Sequence, residues 1–284
     1  MIALAGQSSA DEIDWTKVDA ALGKSASVQG DVHRYGIPRS DLQVTVDGVT
    51  IKPALALGGW LGFEPMAGGA LVMGDLVLTE PEIEPVMTKL LNSGIDVTAL
   101  HNHLLRANPA TYYMHVHGHG DPVVIATAIR AALAESKTPF GPPAQPPPQA
   151  AEIDLDTAAL DNAIGAKGKI NGGVYQFSVP RKDAITDSGT ALSPAMGTAT
   201  VINFQPTGDG KAAITGDFVI TAGVQGHNRH GRGDGRHHRQ ASLHSPHRKG
   251  GPLANCGDGE RTPASVPLRH MHSGPPLAKS EAAE

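Results

Sequence analysis

The sequence predicts an α+β protein of two repeated sandwich-like domains with mainly antiparallel sheets. One observation is an internal repeat. Asp14–Gly23 is echoed by Asp156–Gly165, GDVHRYGIPRSD (Gly30–Asp41) by GGVYQFSVPRKD (Gly172–Asp183), and GDLVLT (Gly74–Thr79) by GDFVIT (Gly216–Thr221). The offset is 142 residues at each anchor, and three colinear matches at one spacing mark a duplication. The other observation is the order of periodicities in copy one, which ends β-α-β-β-α as in a ferredoxin-like sandwich.

The elements of copy one follow from local chemistry. Val18, Ala21 and Leu22 recur at helical spacing over residues 14–22, and Gly23 supplies the stop. Residues 32–37 and 43–51 read as strands, with Asp47-Gly48 as a two-residue hairpin turn. Trp60–Phe63 and Ala70–Leu78 are further strands. Thr79 and Glu82 form a capping box that opens a helix lined by Ile83, Val86, Met87, Leu90 and Leu91. Asn92-Ser93-Gly94 ends it. Val97–His103 and Tyr112–His119 are expected strands, and Asp121-Pro122 caps a closing helix that runs to about Ser136.

The division is therefore a leader (1–11), copy one (12–136), a linker (137–152), an incomplete copy two (153–222) and a tail (223–284). Six prolines in the linker preclude helix and central strand. After Thr221 the helix expected from copy one is replaced by a stretch rich in Gly, Arg, His and Pro, read as disordered. The second half reads as truncated or frameshifted there, with out-of-frame translation preferred over a natural basic tail, so its eight histidines and Cys256 are not counted as a site.

Composition narrows the function classes. The 284 residues carry a net charge of −5 with mixed signs, which gives no case for a nucleic-acid partner. Aromatic residues make up only 4%, so the core must rest on aliphatic side chains. A single cysteine excludes an intramolecular disulfide. No apolar run reaches the roughly 20 residues of a membrane-spanning helix. Ala3-Leu4-Ala5 has the small-x-small look of a signal-peptidase site, so the leader is either the remnant of a signal peptide or a short disordered segment.

The chemistry concentrates in LHNHLLRANPATYYMHVHGHGDP, Leu100–Pro122. Alternation puts His101 and His103 on one face of their strand and His115, His117 and His119 on one face of the next. A pair centred on Asn108 sets His103 opposite Tyr113 and His101 opposite His115, close enough for imidazoles from two strands to share an ion. Such nitrogen donors suit Zn²⁺, with Cu²⁺ second, and Asp121 or Asp75 could add a carboxylate. Otherwise these are solvated strand residues, some hydrogen-bonded to Tyr112, Tyr113 or the backbone. Gly118 and Gly120 could re-aim His119 through a bulge. HExxH, GxSxG and Walker A patterns are absent, and HVHGHGD lacks the downstream Glu of the cupin pattern. The Arg39-x-Asp41 and Arg181-x-Asp183 pairs read as structural bridges.

IPRSDLQVTVDGVTIKPALALGGWLGF, VMGDLVLTEPEIEPVM, IDVTALHNHLL and YYMHVHGHGDPV together resemble the bacterial LppY/LpqO family, domain of unknown function 1259. GKINGGVYQFSVPR and INFQPTGDGKAAITGDFV resemble its second half. The resemblance covers roughly Asp14 to Thr221. It implies a two-halved envelope protein, periplasmic or secreted, and a second half that continues after GDFV with a helix, another TALH-x-H segment and a strand. It transfers no catalytic residue.

Three functions fit these residues: a transition-metal binder, a metal-dependent hydrolase with Asp75 or Asp121 as base, and a metal-free binding or structural module. The missing elements of copy two predict that residues 153–221 are less stable than copy one. Limited proteolysis should then leave a resistant fragment near residues 12–136, and equal resistance of both halves would contradict it.

Overall fold

The computed structural model describes residues 13–140, 153–187 and 189–220, with the backbone of residues 239–242. The leader, most of the linker and the rest of the tail lie outside the described residues. Among the described residues every strand pairing is antiparallel, and three helices of copy one lie on one face of the larger sheet, as the α+β reading requires.

Copy one begins with α1 (Trp15–Leu22), capped by Asp14 and ended by Gly23 in the left-handed conformation. Next come β1 (Ser27–Gln29), β2 (Val32–Pro38), the hairpin β3 (Thr45–Val46) and β4 (Val49–Thr50), and the short α2 (Pro53–Ala56). β5 (Gly58–Met66) and β6 (Gly69–Thr79) follow, then α3 (Glu80–Asn92), β7 (Asp96–His101), β8 (Ala107–Asn108), β9 (Thr111–Gly120) and α4 (Pro122–Leu133). The main sheet runs β1-β2-β5-β6-β9-β7. β6-α3-β7 is thus a split unit whose two strands flank β9, as in a ferredoxin-like sheet. The place of a fourth strand beside β6 is taken by the upstream β5.

Alternation sorts the two faces of this sheet. Val72, Leu76 and Leu78 of β6 and Met114 and Val116 of β9 join Val18, Leu22, Val86, Leu90, Ile125 and Ile129 in one buried cluster under α1, α3 and α4. The residues between them point the other way. Gly118 and Gly120 do not break β9, which keeps an unbroken register with β6 from Thr79↔Thr111 to Ala70↔Gly120.

Copy two supplies α5 (Thr157–Ile164), β10 (Lys169–Asn171), β11 (Val174–Val179), the hairpin β12 (Thr186–Asp187) and β13 (Thr190–Ala191), a 3-10 turn at Pro194–Met196, β14 (Thr200–Gly208) and β15 (Lys211–Ile220). Within the stretch read as a disordered tail, Arg239–Ser242 forms β16 against β15 and satisfies part of an otherwise open strand edge. Its partner residues match the way β9 lies along β6 in copy one.

The two copies belong to one compact unit, and each lays a short helical turn on the other's sheet. From α2, the Leu55 carbonyl accepts from Asn203 Nδ2 at 3.1 Å and Thr215 Oγ1 at 2.9 Å, and the Ala54 carbonyl accepts from Gln176 Nε2. In return, the Ala195 carbonyl accepts from Arg34, whose guanidinium lies 3.8 Å from the centre of the Trp60 ring. Val174 joins the cluster of Val44, Leu55, Leu57, Val77 and Tyr113, and Ile185, Leu192 and Met196 pack with Val32 and Leu71. Gly197 is required here: its φ is +84°, and a Cβ would stand 2.8 Å from the Trp60 ring.

Arg39 ties copy one together internally. It is 1% exposed and donates to Asp41, Glu82 and the Val77 carbonyl. Glu82 closes the capping box on Thr79 and also accepts from the Lys137 N–H. The structural-bridge reading of Arg39-Asp41 thus describes a larger network than the sequence displayed. Copy two repeats it in part, since Arg181 pairs with Asp183 at 2.8 Å and donates to the Val219 carbonyl.

Burial works against the Glu82 charge. The Arg39 hydrogen bonds, the Thr79 and Lys137 N–H groups and the Arg39 charge outweigh it and lower its pKa to about 2. A depressed carboxylate stabilises the fold above its unfolded value, near 4.3, and that contribution fades as pH falls toward 2. Glu82→Gln leaves Arg39 buried beside a neutral partner. It should cost about 3 kcal/mol at pH 7 in urea denaturation, and the variant should lose less than wild type between pH 4.5 and 2. An unchanged midpoint at pH 7 would show that the pair is not structural.

Candidate functional site

The seam-facing residues of β6 and β9 include a row of polar groups between apolar clusters. Asp75 and His115 are direct cross-strand partners, with Asp75 Oδ2 3.8 Å from His115 Nε2. That is beyond hydrogen-bond length. Asp75 Oδ1 is buried and has no hydrogen-bond partner among the described residues. Arg34 faces the same side from β2.

β7 brings in His101 by a register that differs from the sequence expectation. A bulge between Val97 and Ala99 changes the pairing by one residue, and beyond it Ala99, not His101, lies opposite His115 and His101 opposite Tyr113, two residues from the expected register. The shift of two residues preserves the face, so the rings still meet: the His101 and His115 centroids are 4.8 Å apart and perpendicular. β7 also ends at His101, two residues sooner than expected, because the following chain turns away to pair β8 with β3. His103 therefore projects from a loop. It is 6% exposed, its ring centroid is 3.9 Å from that of Tyr113, and its Nε2 is 2.9 Å from His101 Nε2.

Copy two completes the cluster. Asp217 of β15 places Oδ1 3.0 Å from His103 Nδ1. Asp75 and Asp217 occupy the same position of the repeated Gly-Asp-x-Val-x-Thr segment. The Tyr113 hydroxyl donates to the Ala56 carbonyl of α2, pinning the aromatic floor beneath His103.

The remaining expected residues are engaged elsewhere. His117 Nε2 is 2.8 Å from Asp187 Oδ2 of the β12–β13 hairpin, with Asp96 3.9 Å from its Nδ1. His119 is exposed and bonds the Ala67 carbonyl at 3.2 Å. Asp121 is the N-cap of α4 and accepts from the Val123 and Val124 N–H groups. The row predicted as five histidines and Asp121 thus separates into a cluster of His101, His103 and His115, a seam contact at His117, a turn contact at His119 and a helix cap.

His101 has its pKa lowered to about 4, first by burial and then by the charges of His103 and His115. For His103 burial acts in the same direction, but the Asp217 hydrogen bond and the Asp217 and Asp75 charges prevail and raise it. His103 thus sits with Nδ1 3.0 Å from the Asp217 carboxylate, and one proton lies between its Nε2 and that of His101. Asp75 is raised to about 7 by burial, with Asp217 adding to the rise and His103 and Arg34 opposing it. Among the described residues, no group of three or more His, Cys, Asp or Glu side chains is set at ion-holding geometry.

The residue that the sequence pattern did not reveal is Asp217. Its signal was the repeat itself, which pairs it with Asp75. Asp187 had no such signal, because its counterpart in copy one is Thr45.

The model of a family described as Domain of Unknown Function (DUF1259) matches residues 16–135 and 158–224. The two matched segments start 142 residues apart, the spacing of the repeat, and the second stops three residues past Thr221. No curated protein and no solved structure matches the chain. No helix among the described residues is long and apolar enough to cross a membrane.

Asp75 has a raised pKa, so its ionisation costs stability as pH climbs from its unfolded value near 3.9 through about 7. Every tenfold weakening of a carboxyl's acidity on folding corresponds to about 1.4 kcal/mol. In metal-free protein, Asp75→Asn should therefore raise stability by roughly 2–4 kcal/mol at pH 8 and change it little near pH 4, measured by urea denaturation. A destabilised variant at pH 8 would contradict a charged, poorly solvated Asp75.

Proposed function

We propose that this chain, which belongs to the Domain of Unknown Function (DUF1259) family, binds one transition-metal ion at the seam through His101, His103 and His115, with Asp75 as a carboxylate donor. The observation that carries the reading is the convergence of His101 Nε2 and His103 Nε2 to 2.9 Å above a buried carboxyl. Without an ion the two Nε2 atoms share one proton in a hydrogen bond, and an ion would take that proton's place between them. Two nitrogens on one tetrahedral ion, at bonds of about 2.0–2.1 Å, stand about 3.3 Å apart. Binding therefore needs the pair to spread by a few tenths of an ångström and His115 to swing toward them. The 3.8 Å gap between His115 and Asp75 is wide enough for two donors to share an ion. Nitrogen donors with one carboxylate suit Zn²⁺ first and Cu²⁺ second.

A second reading builds on the same ligands. His101, His103 and His115 would hold the ion, which would supply an activated water for hydrolysis of an ester or amide. Asp75, released from the ion and with a carboxyl that titrates near neutrality, would serve as the base. The resemblance to an envelope family adds a periplasmic or secreted location to the proposal, testable by cell fractionation.

Metal content should be measured by mass spectrometry on the full chain after incubation with Zn²⁺ and removal of the excess. Wild type should retain one equivalent more than His101→Ala/His115→Ala, since the tail histidines are common to both. Equal content in the two proteins would overturn the proposal.

A further inference from the structure

The duplication places two equivalent carboxylates at one cluster, and they meet it differently. Asp75 lies at the register position opposite His115 with an oxygen that accepts no hydrogen bond among the described residues. Asp217, from the other copy, lies 3.0 Å from the Nδ1 of His103. An imidazole whose Nδ1–H is held by a carboxylate keeps its Nε2 lone pair for another partner, and such a carboxylate fixes both tautomer and ring orientation in metal sites. The Nε2 so presented is the atom 2.9 Å from His101 Nε2. His103 needs this support more than His101 or His115 does, because those two sit on strands and His103 projects from a loop.

We infer that Asp217 is the positioning residue of the site: by holding His103 Nδ1 it presents Nε2 to the ion, so that metal binding requires copy two docked on copy one. The inference rests on the metal reading above. It assigns two roles to one repeated segment, a donor to the ion in copy one and a support for a donor in copy two. It also makes the ion a tie across the seam. A ligand that binds only the docked arrangement stabilises it by mass action, and the coupling is reciprocal. β14 and β15, which carry Asn203, Thr215 and Asp217, are the strands that should tighten.

The test compares full-length wild type, Asp217→Asn and Asp217→Glu. Zn²⁺ affinity is read by competition with a chromophoric chelator, the His103 tautomer by long-range ¹⁵N–¹H spectra of metal-free protein, and docking by hydrogen exchange over residues 200–220 with and without Zn²⁺. Asp217→Asn should weaken the tight Zn²⁺ equivalent by about 10–100-fold and abolish the preference for an Nδ1-bound proton, while exchange in α1, α3 and α4 stays as in wild type. Asp217→Glu should recover part of the affinity. Zn²⁺ should slow exchange over residues 200–220 in wild type more than in Asp217→Asn at the same concentration. Equal affinity in wild type and Asp217→Asn would overturn the inference while leaving the metal reading intact. Wild type that retains no tight Zn²⁺ would overturn the metal reading, and the inference with it.

Discussion

The unbroken pairing of β6 with β9 is the constraint from which the rest of the arrangement follows. Ten consecutive partners, from Thr79↔Thr111 to Ala70↔Gly120, fix which residues share a face. A slip by one residue would turn Leu76, Leu78, Met114 and Val116 out from beneath the helices and bring Asp75 and His115 in. The apolar cluster under α1, α3 and α4 therefore sets the register, and the register sets the polar row. A buried carboxyl beside an imidazole is costly for the sheet by itself. It persists because the hydrophobic face on the other side of the same strands admits no alternative alignment.

The second constraint is the seam. Copy two covers the polar face of copy one with backbone-directed hydrogen bonds from Asn203, Thr215 and Gln176 and with apolar contacts from Val174, Ile185 and Met196. Reciprocal placement of α2 and the Pro194–Met196 turn resembles the contact of a two-fold dimer folded into one chain. The equivalence is incomplete. His117 of copy one meets Asp187 of copy two, and the position of Asp187 in copy one is Thr45, which makes a different contact, to the Asn108 carbonyl. Arg39 reaches Glu82, whereas the equivalent of Glu82 in copy two is Val224, and Arg181 Nε is buried without a hydrogen-bond partner among the described residues.

Much of the fold was legible because it is encoded locally. The capping box at Thr79 and Glu82, the Asp47-Gly48 turn, the Asp121-Pro122 helix start and the alternation of Ala70–Leu78 each state their own geometry in a few residues. So did the duplication, through spacing alone. The site was half legible. Strand alternation put His101 and His115 on one face, but it carried no information on the pairing of β7, which lies two residues from the expected register and is broken by a bulge at Val97–Ala99. Nor could it foresee that β8 would draw the chain away after His101 and leave His103 on a loop. The contribution of Asp217 depends on how two sheets pack, which no local pattern displays. Arg39 looked like one end of a simple bridge for the same reason, since Glu82 lies 43 residues away along the chain.

The seam joins two halves of one polypeptide, so bringing Asp217 to His103 is a unimolecular event. In a site shared between separate subunits, assembly would depend on protein concentration, and dilution would take the ligand set apart. Here the linker keeps the effective concentration of one half for the other high whatever the amount of protein present. Fusion also frees equivalent positions from having to satisfy two environments at once, as they must in a symmetric dimer. Asp75 and Asp217 show the outcome: one ancestral position, two chemical surroundings, within a single molecule.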